Sequence, residues 1–301
     1  MIGLDTSHVI AFTRTFNDPK DKNYIPGGKV VVAYKGGSPD IHSSASRVEG
    51  YTKTLQETYG VKIVDSIEEL CELVDVVMLE SVDGRPHLEQ ARPVIKAGKT
   101  LFIDKPVAGS LRDAIEIYRL AKENNVPVFS ASSLRYWPTV QAMKNGAFGE
   151  LKGVISVGPA HLEPTHPDLF WYGVHSTESL FTVMGTGCET VVCTATTDTH
   201  VVTGTWKDGK VGTFHGVRNA AAPYQITALG TKAVLNEKMA GDYTPLLREV
   251  MKFLQTGVSP VSPEETIEIF AFMEAADESK RQGGCPVQIA DVIRKASAPK
   301  E

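Results

Sequence analysis

Short apolar runs alternate with amphipathic helical patterns over the first 131 residues. The runs are rich in β-branched residues, as expected of parallel strands that are buried on both faces. They are Lys29–Tyr34, Val74–Leu79, Thr100–Ile103 and Val126–Ser130. The helical patterns between them are Arg47–Tyr59, Ser66–Leu73, Pro86–Ala97 and Leu111–Asn124. This alternation predicts βαβ units and an N-terminal doubly wound parallel sheet of the Rossmann type.

The pattern changes after Arg135, where strands follow strands and turn signals such as Asp208-Gly209 separate them. The expected strands are Leu151–Val157, Glu189–Thr197, His200–Trp206, Val211–Val217, Tyr224–Leu229 and Ala233–Leu235. Helices are expected at Pro138–Asn145, Thr244–Gln255 and Pro263–Gln282. The sequence therefore predicts two domains. Residues 1–131 form a dinucleotide-binding α/β domain, and residues 132–301 form an α+β domain with an open, mainly antiparallel sheet for substrate binding or oligomerisation. The last helices are candidates for packing back onto the first domain.

Composition and charge narrow the class of protein. The 301 residues are 42% hydrophobic and 22% charged, and the formal net charge of -5 argues against a nucleic-acid or membrane-surface protein. No apolar stretch reaches the length of a membrane span, and the N-terminus lacks the features of a signal peptide. The four cysteines have neither CxxC spacing nor the density of a disulfide scaffold. We expect a cytoplasmic protein with reduced thiols.

The first turn, Gly3–His8, lies where a Rossmann domain carries the G-x-G-x-x-G fingerprint of pyrophosphate binding. Only Gly3 fits, because Asp5 and His8 occupy the other glycine positions. Asp5, Thr6 and Ser7 are also favourable helix N-caps, which is an alternative role. If a dinucleotide binds, the Asp5 carboxylate should point away from the pyrophosphate and cap the following helix. The candidate cofactor-binding residues of this turn are Gly3, Asp5, Thr6, Ser7 and His8.

The end of the second strand is where a Rossmann domain contacts the adenosine ribose, through an acidic residue when the cofactor is NAD. This chain has Tyr34-Lys35-Gly36-Gly37-Ser38 there. Lys35 and Ser38 are candidates for binding the 2′-phosphate of NADP, or they belong to a solvated loop with a turn at the two glycines. NAD and NADP both remain open.

A lysine follows the strand Thr100–Ile103, at the sheet edge where doubly wound folds bind ligands. The segment from His87 to Ala108 resembles the HxxxAxxxxxAGKxVxxEKPxA stretch of the Gfo/Idh/MocA family of oxidoreductases, with Leu101 and Asp104 as conservative departures. The resemblance implies that Lys105 is the active-site lysine that binds the reacting hydroxyl near the nicotinamide. We assign Asp104 and Pro106 to the cofactor site. A plain surface lysine is the alternative.

A second segment, Phe170–Glu178, resembles the D-x-G-x-H motif of the same family. Gly173 and His175 match, whereas Trp171 replaces the aspartate. The resemblance implies that His175, in the first turn of a buried helix, is the acid/base that takes the hydroxyl proton, as a neutral imidazole can. A core or capping histidine is the alternative.

Further polar side chains are candidates for substrate contacts. Arg135 resembles the arginine that often follows the last Rossmann strand in the family, and it either anchors substrate or bridges the domains. The crowded His161, Glu163, His166 and Asp168 match no metal-binding spacing, so we predict a polar substrate-facing loop and no metal. The substrate-binding candidates are Arg135, His161, Trp171 and Tyr172.

The resemblance implies an NAD- or NADP-dependent oxidoreductase that acts on a carbinol carbon of a sugar, sugar acid or cyclitol. Two alternatives stay open. One is a redox-neutral lyase or glycoside-cleaving enzyme that retains its NAD, and the other is a non-catalytic relative that has lost dinucleotide binding. The expected partners are a carbohydrate-like small molecule and further copies of the chain as a dimer or tetramer, with no nucleic acid and no membrane.

Overall fold

The computed structural model describes residues 1–299 and divides the chain into two compact units. Unit 1 contains Met1–Gly109, Glu116–Ala131 and Tyr243–Ser262. Unit 2 contains Ser110–Ile115, Ser132–Asp242 and the described residues from Pro263 onward. The expected end of the second domain at residue 301 lies outside the described residues. None of the helices in residues 1–299 is long and apolar enough to cross a membrane.

Strands and helices follow the predicted order along the chain. The strands are β1 (Val32–Tyr34), β2 (Lys62–Val64), β3 (Val76–Leu79), β4 (Thr100–Ile103), β5 (Val128–Ser130), β6 (Leu151–Pro159), β7 (Cys188–Ala195), β8 (Thr199–Trp206), β9 (Val211–Val217), β10 (Gln225–Gly230), β11 (Val234–Lys238) and β12 (Val287–Gln288). The α-helices are α1 (Ser7–Asn17), α2 (His42–Ala45), α3 (Val48–Tyr59), α4 (Ile67–Leu73), α5 (His87–Lys96), α6 (Leu111–Glu123), α7 (Pro138–Lys144), α8 (Val174–Met184), α9 (Thr244–Thr256), α10 (Pro263–Arg281) and α11 (Ile289–Ser297).

Unit 1 is built on parallel strands. β1 pairs with β2, and β3, β4 and β5 pair in that order. The backbone of Ile2 joins the two groups, because it forms parallel bridges with Tyr34 and Leu79. The strand order, with Ile2 at its centre, is that of a Rossmann sheet. The predicted N-terminal α/β fold is confirmed, and the first strand is reduced to a bridging segment.

Local sequence determines where the helices of unit 1 begin and end. The hydroxyl of Ser66 caps α4 by accepting a hydrogen bond from the Glu69 amide at 3.1 Å. Gly60, in the left-handed conformation, ends α3, and Gly98, with φ of 70°, follows α5 where a C-terminal glycine was predicted. Gly60 and Gly98 thus lie just before β2 and β4 begin, whereas Ser66 lies in the turn after β2, at the carboxyl edge of the sheet.

Unit 2 contains a seven-stranded sheet within the described residues, in the order β11-β10-β6-β9-β8-β7-β12. All neighbouring pairs are antiparallel except β6 and β9. Its core is aromatic: the Phe181 ring of α8 lies 5.3 Å from Trp206 and 5.5 Å from Phe272 of α10. The predicted mainly antiparallel second sheet is therefore confirmed. β2, β12, α2 and α11 were not predicted.

Candidate functional site

The turn at Gly3 requires glycine for two reasons. Its φ is +81°, and a Cβ atom there would lie 2.1 Å from the Ser81 hydroxyl oxygen. The chain then enters α1, whose first turn is capped by Thr6 through a 3.4 Å hydrogen bond from the His8 amide. Ser7 is exposed at this helix N-terminus. Backbone amides at such a position favour an anion, so the turn fits one end of a pyrophosphate.

Asp5 is fully buried and points into the protein. Its carboxylate accepts hydrogen bonds from the Val82 amide at 2.9 Å and from the Ser44 hydroxyl at 2.6 Å. The side chain therefore does not repel a phosphate group across open solvent. The cap of α1 is Thr6 and not Asp5, which differs from the expected capping role.

The residues that were candidates for binding a 2′-phosphate already have partners. Lys35 forms an ion pair with Glu49. The Ser38 hydroxyl donates to the Asp83 carboxylate at 2.6 Å. Arg85 binds Asp83 at 2.8 Å, and it also contacts the half-exposed Asp40 at 2.9 Å. The part of unit 1 where the adenosine ribose is expected therefore contains carboxylates as well as cations.

Lys105 follows β4 and lies at the carboxyl edge of the parallel sheet. The Asp104 carboxylate accepts a 2.8 Å hydrogen bond from the Lys105 amide, which orients the backbone at this position. Burial lowers the pKa of the Lys105 ammonium, and the nearby carboxylates of Asp104 and Glu80 oppose that shift. Pro106 continues the turn into Val107 and Ala108, which are both buried. A partly desolvated ammonium of this kind can stabilise negative charge that develops on a substrate oxygen.

Three titratable side chains meet next to Lys105. The His8 Nδ1 atom lies 2.5 Å from Asp104 Oδ2, and the carboxylate of Glu80 completes the group. Burial and the negative charge of Asp104 raise the pKa of Glu80 well above its usual value. Burial opposes ionisation of Asp104 too, but the contact with His8 keeps its pKa below the usual value. Glu80 directly follows β3 and was not among the residues predicted from the sequence, because no motif distinguishes it.

In unit 2, His175 is the second residue of α8 and is buried. Its Nδ1 atom lies 2.7 Å from the hydroxyl oxygen of Ser132, which also accepts a hydrogen bond from the Leu134 amide at 3.2 Å. The Tyr172 ring lies 5.5 Å from the His175 ring and 5.1 Å from that of His161. Three of the predicted catalytic and substrate residues therefore lie together in one part of this unit.

Arg135 has no free face in this arrangement. It is 5% exposed and its guanidinium contacts Glu178 and Glu265, each at 2.5 Å. Both carboxylates belong to unit 2. The sequence allowed substrate anchoring or a bridge between the domains, whereas these two ion pairs favour a structural role within unit 2.

Two side chains of the predicted polar loop, residues 161–168, contact different partners. His166 packs against Trp171 with ring centres 5.0 Å apart, whereas Asp168 contacts His200 at 3.0 Å and Lys280 at 2.5 Å. Trp171, which replaces the family aspartate, is thus a packing partner of His166. Tyr172 is the substrate candidate of this segment that contacts His175, and His161 contacts Tyr172.

Comparisons with known proteins show which family part of unit 1 is similar to. Residues 37–132 match the model of the Gfo/Idh/MocA oxidoreductase family, described as an NAD-binding Rossmann fold. The resemblance seen in the sequence is confirmed over that range. An uncharacterized oxidoreductase from Streptococcus pneumoniae is 32% identical over 97 residues, which span 31% of this chain and 25% of that protein.

Solved structures resemble the chain over nearly its full length. A probable dehydrogenase from Thermotoga maritima has a TM-score of 0.77 at 19% identity and covers 97% of this chain and 98% of its own. Myo-inositol 2-dehydrogenase from Lactobacillus plantarum has a TM-score of 0.77 at 16% identity and covers 95% of this chain and 97% of its own. At these identities the likeness establishes the two-part fold.

Proposed function

We propose that the protein is an NAD-dependent oxidoreductase that removes hydride from a carbinol carbon of a sugar, sugar acid or cyclitol. The observation that carries this proposal is the position of Lys105, partly desolvated at the carboxyl edge of an NAD-binding-type sheet. The name of the Lactobacillus plantarum neighbour, an inositol dehydrogenase, supports the substrate class.

The residues of unit 1 fit a dinucleotide at its pyrophosphate end. Gly3 and the N-terminus of α1 would hold the phosphates, since Asp5 is turned inward and neutral donors bind it. Bound NAD would supply the hydride acceptor. Lys105 would bind the reacting hydroxyl and stabilise the alkoxide that forms as its proton leaves.

In the proposed reaction, His175 accepts the hydroxyl proton at Nε2. Nε2 can accept a proton only if the single ring proton of the neutral imidazole is on Nδ1. In that tautomer the Nδ1–H group donates a hydrogen bond to the hydroxyl oxygen of Ser132. Ser132 is therefore proposed as a positioning residue that selects this tautomer. The proposed oxidation balances, because the hydroxyl would lose its proton to His175 and bound NAD would supply the acceptor for the hydride from the carbon.

Dinucleotide binding is tested first by native mass spectrometry of the purified protein, together with thermal-shift titrations of NAD, NADH, NADP and NADPH. A ligand at about a hundred times its dissociation constant stabilises the fold by about 2.7 kcal/mol, which such a titration detects. A panel of C-deuterated cyclitols, aldoses and sugar acids then tests the chemistry. Transfer of deuterium to added NAD supports net oxidation. Retained NAD that cycles without net reduction supports the redox-neutral alternative, and no dinucleotide binding would overturn the proposal.

A further inference from the structure

A buried group of three ligand-type side chains lies under the first turn of α1. One ligand atom from each of His8, Glu80 and Asp104 lies within 4.8 Å of the other two. In residues 1–299 this is the one group of histidine, cysteine and carboxylate side chains that could hold a metal ion in this way. Their exposed fractions are 9%, 0% and 3%.

Glu80 is the side chain that points to a missing ligand. It is fully buried, and within residues 1–299 no N–H or hydroxyl group donates a hydrogen bond to its carboxylate, whose polar neighbour is the carboxylate of Asp104. Burying such a group without a partner is costly, and the cost is greater when the group is ionised. A cation bound to these oxygens would remove that cost.

The fold places the three residues together independently of any ligand. Leu79 of β3 is paired with Ile103 of β4, so Glu80 and Asp104 are the next residues on two adjacent parallel strands. The backbone is held there too, because the Asp104 amide donates to the Leu79 carbonyl at 2.8 Å. Two carboxylates are thereby fixed side by side at the sheet edge.

The third ligand is also held in place. His8 is the second residue of α1 and faces the two carboxylates. The rings of Phe12 and Tyr243 lie 5.0 Å and 4.8 Å from its imidazole and fix the orientation of that ring. These aromatic side chains also limit access of water to the group.

We propose that His8, Glu80 and Asp104 bind a divalent first-row transition metal ion such as Zn²⁺ or Mn²⁺. One imidazole and two carboxylates are ligands that these metals accept, and three protein ligands leave a coordination position open. Ligand atoms at about 2.1 Å from such an ion lie about 3 to 4 Å apart, so small side-chain rotations would suffice. Mg²⁺ is disfavoured because it keeps several of its waters, for which this buried group has little room.

The local charge is compatible with a metal ion. A metal ion that displaced the proton favoured on Glu80 would meet two carboxylates, Glu80 and Asp104, whose charges both act on Lys105. The lysine offsets one of these charges and leaves the other for the metal ion to neutralise. The site adjoins the proposed dinucleotide site, because His8 and Asp104 are also candidate cofactor residues, and metal binding does not require a bound dinucleotide.

The test measures metal binding directly and does not use turnover. Protein is treated with a chelator, dialysed into metal-free buffer and titrated calorimetrically with Zn²⁺, Mn²⁺ or Mg²⁺. We expect one equivalent of Zn²⁺ or Mn²⁺ per chain with a dissociation constant of about 1 µM or below, and far weaker Mg²⁺ binding. Glu80→Gln and His8→Asn should each weaken Zn²⁺ binding at least tenfold, whereas Asp277→Asn, a change at a buried carboxylate of unit 2, should not.

A second measurement tests metal binding on the wild-type protein, so that it does not depend on a variant that fails to fold. Co²⁺ added to the metal-free wild-type protein should give the visible absorption of a site with nitrogen and oxygen ligands, and Zn²⁺ should abolish it. Wild-type protein that binds neither Zn²⁺ nor Mn²⁺ at one equivalent would overturn the proposal. Zn²⁺ binding that is equal in wild type and in a folded Glu80→Gln variant would overturn it as well.

Discussion

His8 Nδ1 lies 2.5 Å from Asp104 Oδ2 and links the first turn of α1 to the residue that precedes Lys105. In a G-x-G-x-x-G turn the position of His8 is a glycine, which allows close packing of helix and strand. Here a side chain occupies that position and contacts Asp104, while the other Asp104 oxygen holds the Lys105 amide. The first turn, Gly3–His8, and the segment that carries Lys105 are thus joined through the carboxylate of Asp104.

The first prediction concerns cofactor preference. Lys35 is neutralised by Glu49, and Asp40 and Asp83 place negative charge near the expected ribose, so NAD should bind more tightly than NADP. Glu49→Ala should free Lys35 and improve NADP affinity by up to about fivefold, with NAD affinity unchanged.

Calorimetric or fluorescence titration of both cofactors checks this preference. Glu57→Ala removes a carboxylate of a second exposed ion pair, with Lys53, on α3 and serves as the control. Tighter binding of NADP than of NAD by the wild-type protein would show that the assignment of the carboxylates is wrong.

The second prediction concerns Arg135. Removing a buried charge leaves its partners unpaired, so Arg135→Met should lower the free energy of unfolding by about 3 to 5 kcal/mol. Arg281→Met, at an arginine whose side chain is 56% exposed, should cost less than about 1 kcal/mol. Denaturant unfolding measures both. A stable Arg135→Met protein with a large rise in KM would instead indicate substrate anchoring.

The third prediction concerns pH and Asp277 of α10. Burial, with the charges of Asp168 and Glu274, raises the pKa of Asp277 from 3.8 to about 7. Between about pH 4 and pH 7 the folded chain keeps a proton that the unfolded chain has lost, so this group destabilises the fold increasingly as pH rises. The full effect is about 4 kcal/mol above pH 7.

Asp277→Asn should therefore stabilise the protein at pH 8 relative to wild type, and much less at pH 4. Urea unfolding of both proteins across this range gives the difference directly. Asp291→Asn, on the exposed part of α11, is the control and should change stability little at either pH. A difference between Asp277→Asn and wild type that does not vary with pH would contradict the assigned shift.

The fourth prediction distinguishes the proposed role of His175, as proton acceptor, from that of Ser132, as positioning residue. His175→Gln should reduce kcat by about 10²-fold or more, because it removes the proton acceptor. Ser132→Ala should reduce kcat by about tenfold at nearly constant KM, since only the tautomer selection is lost. Ser132→Thr should restore kcat, and Ser156→Ala, at another buried hydrogen-bonded serine of unit 2, should leave it unchanged. Equal kcat values for Ser132→Ala and wild type would exclude the positioning role.

Strong local patterns predicted much of the fold. Thr100–Ile103 and Val211–Val217 form strands at the predicted bounds. Each run is long enough or apolar enough for its own pattern to predict a strand. β2 was missed because Lys62–Val64 is only three residues long and has one buried side chain. Ile2 lies between β1 and β3 because its backbone pairs with Tyr34 and Leu79, which are distant in the sequence. The short segment around Ile2 has no local pattern that predicts this pairing.

The candidate site was predictable where a motif carried it, as for Lys105 and His175. Glu80 was not, since no local feature distinguishes it from any polar residue after a strand. Its importance arises from strand register, which sets it beside Asp104. The partners of Lys35 and Ser38 likewise come from α3 and from the turn after β3, so their ion pair and hydrogen bond require the folded chain.

The most direct test of the proposed function is the steady-state and binding behaviour of Lys105→Ala. With a polyol substrate from the deuterium-transfer panel, kcat should fall by about 10²- to 10³-fold, because the group that stabilises the alkoxide is gone. The dissociation constant of NAD, measured by calorimetry, should stay nearly the same, since the lysine acts on the reacting oxygen and not on the pyrophosphate. Lys96→Ala, at an exposed lysine of α5, controls for loss of a surface charge. A Lys105→Ala enzyme that oxidises the substrate as fast as wild type would contradict the account.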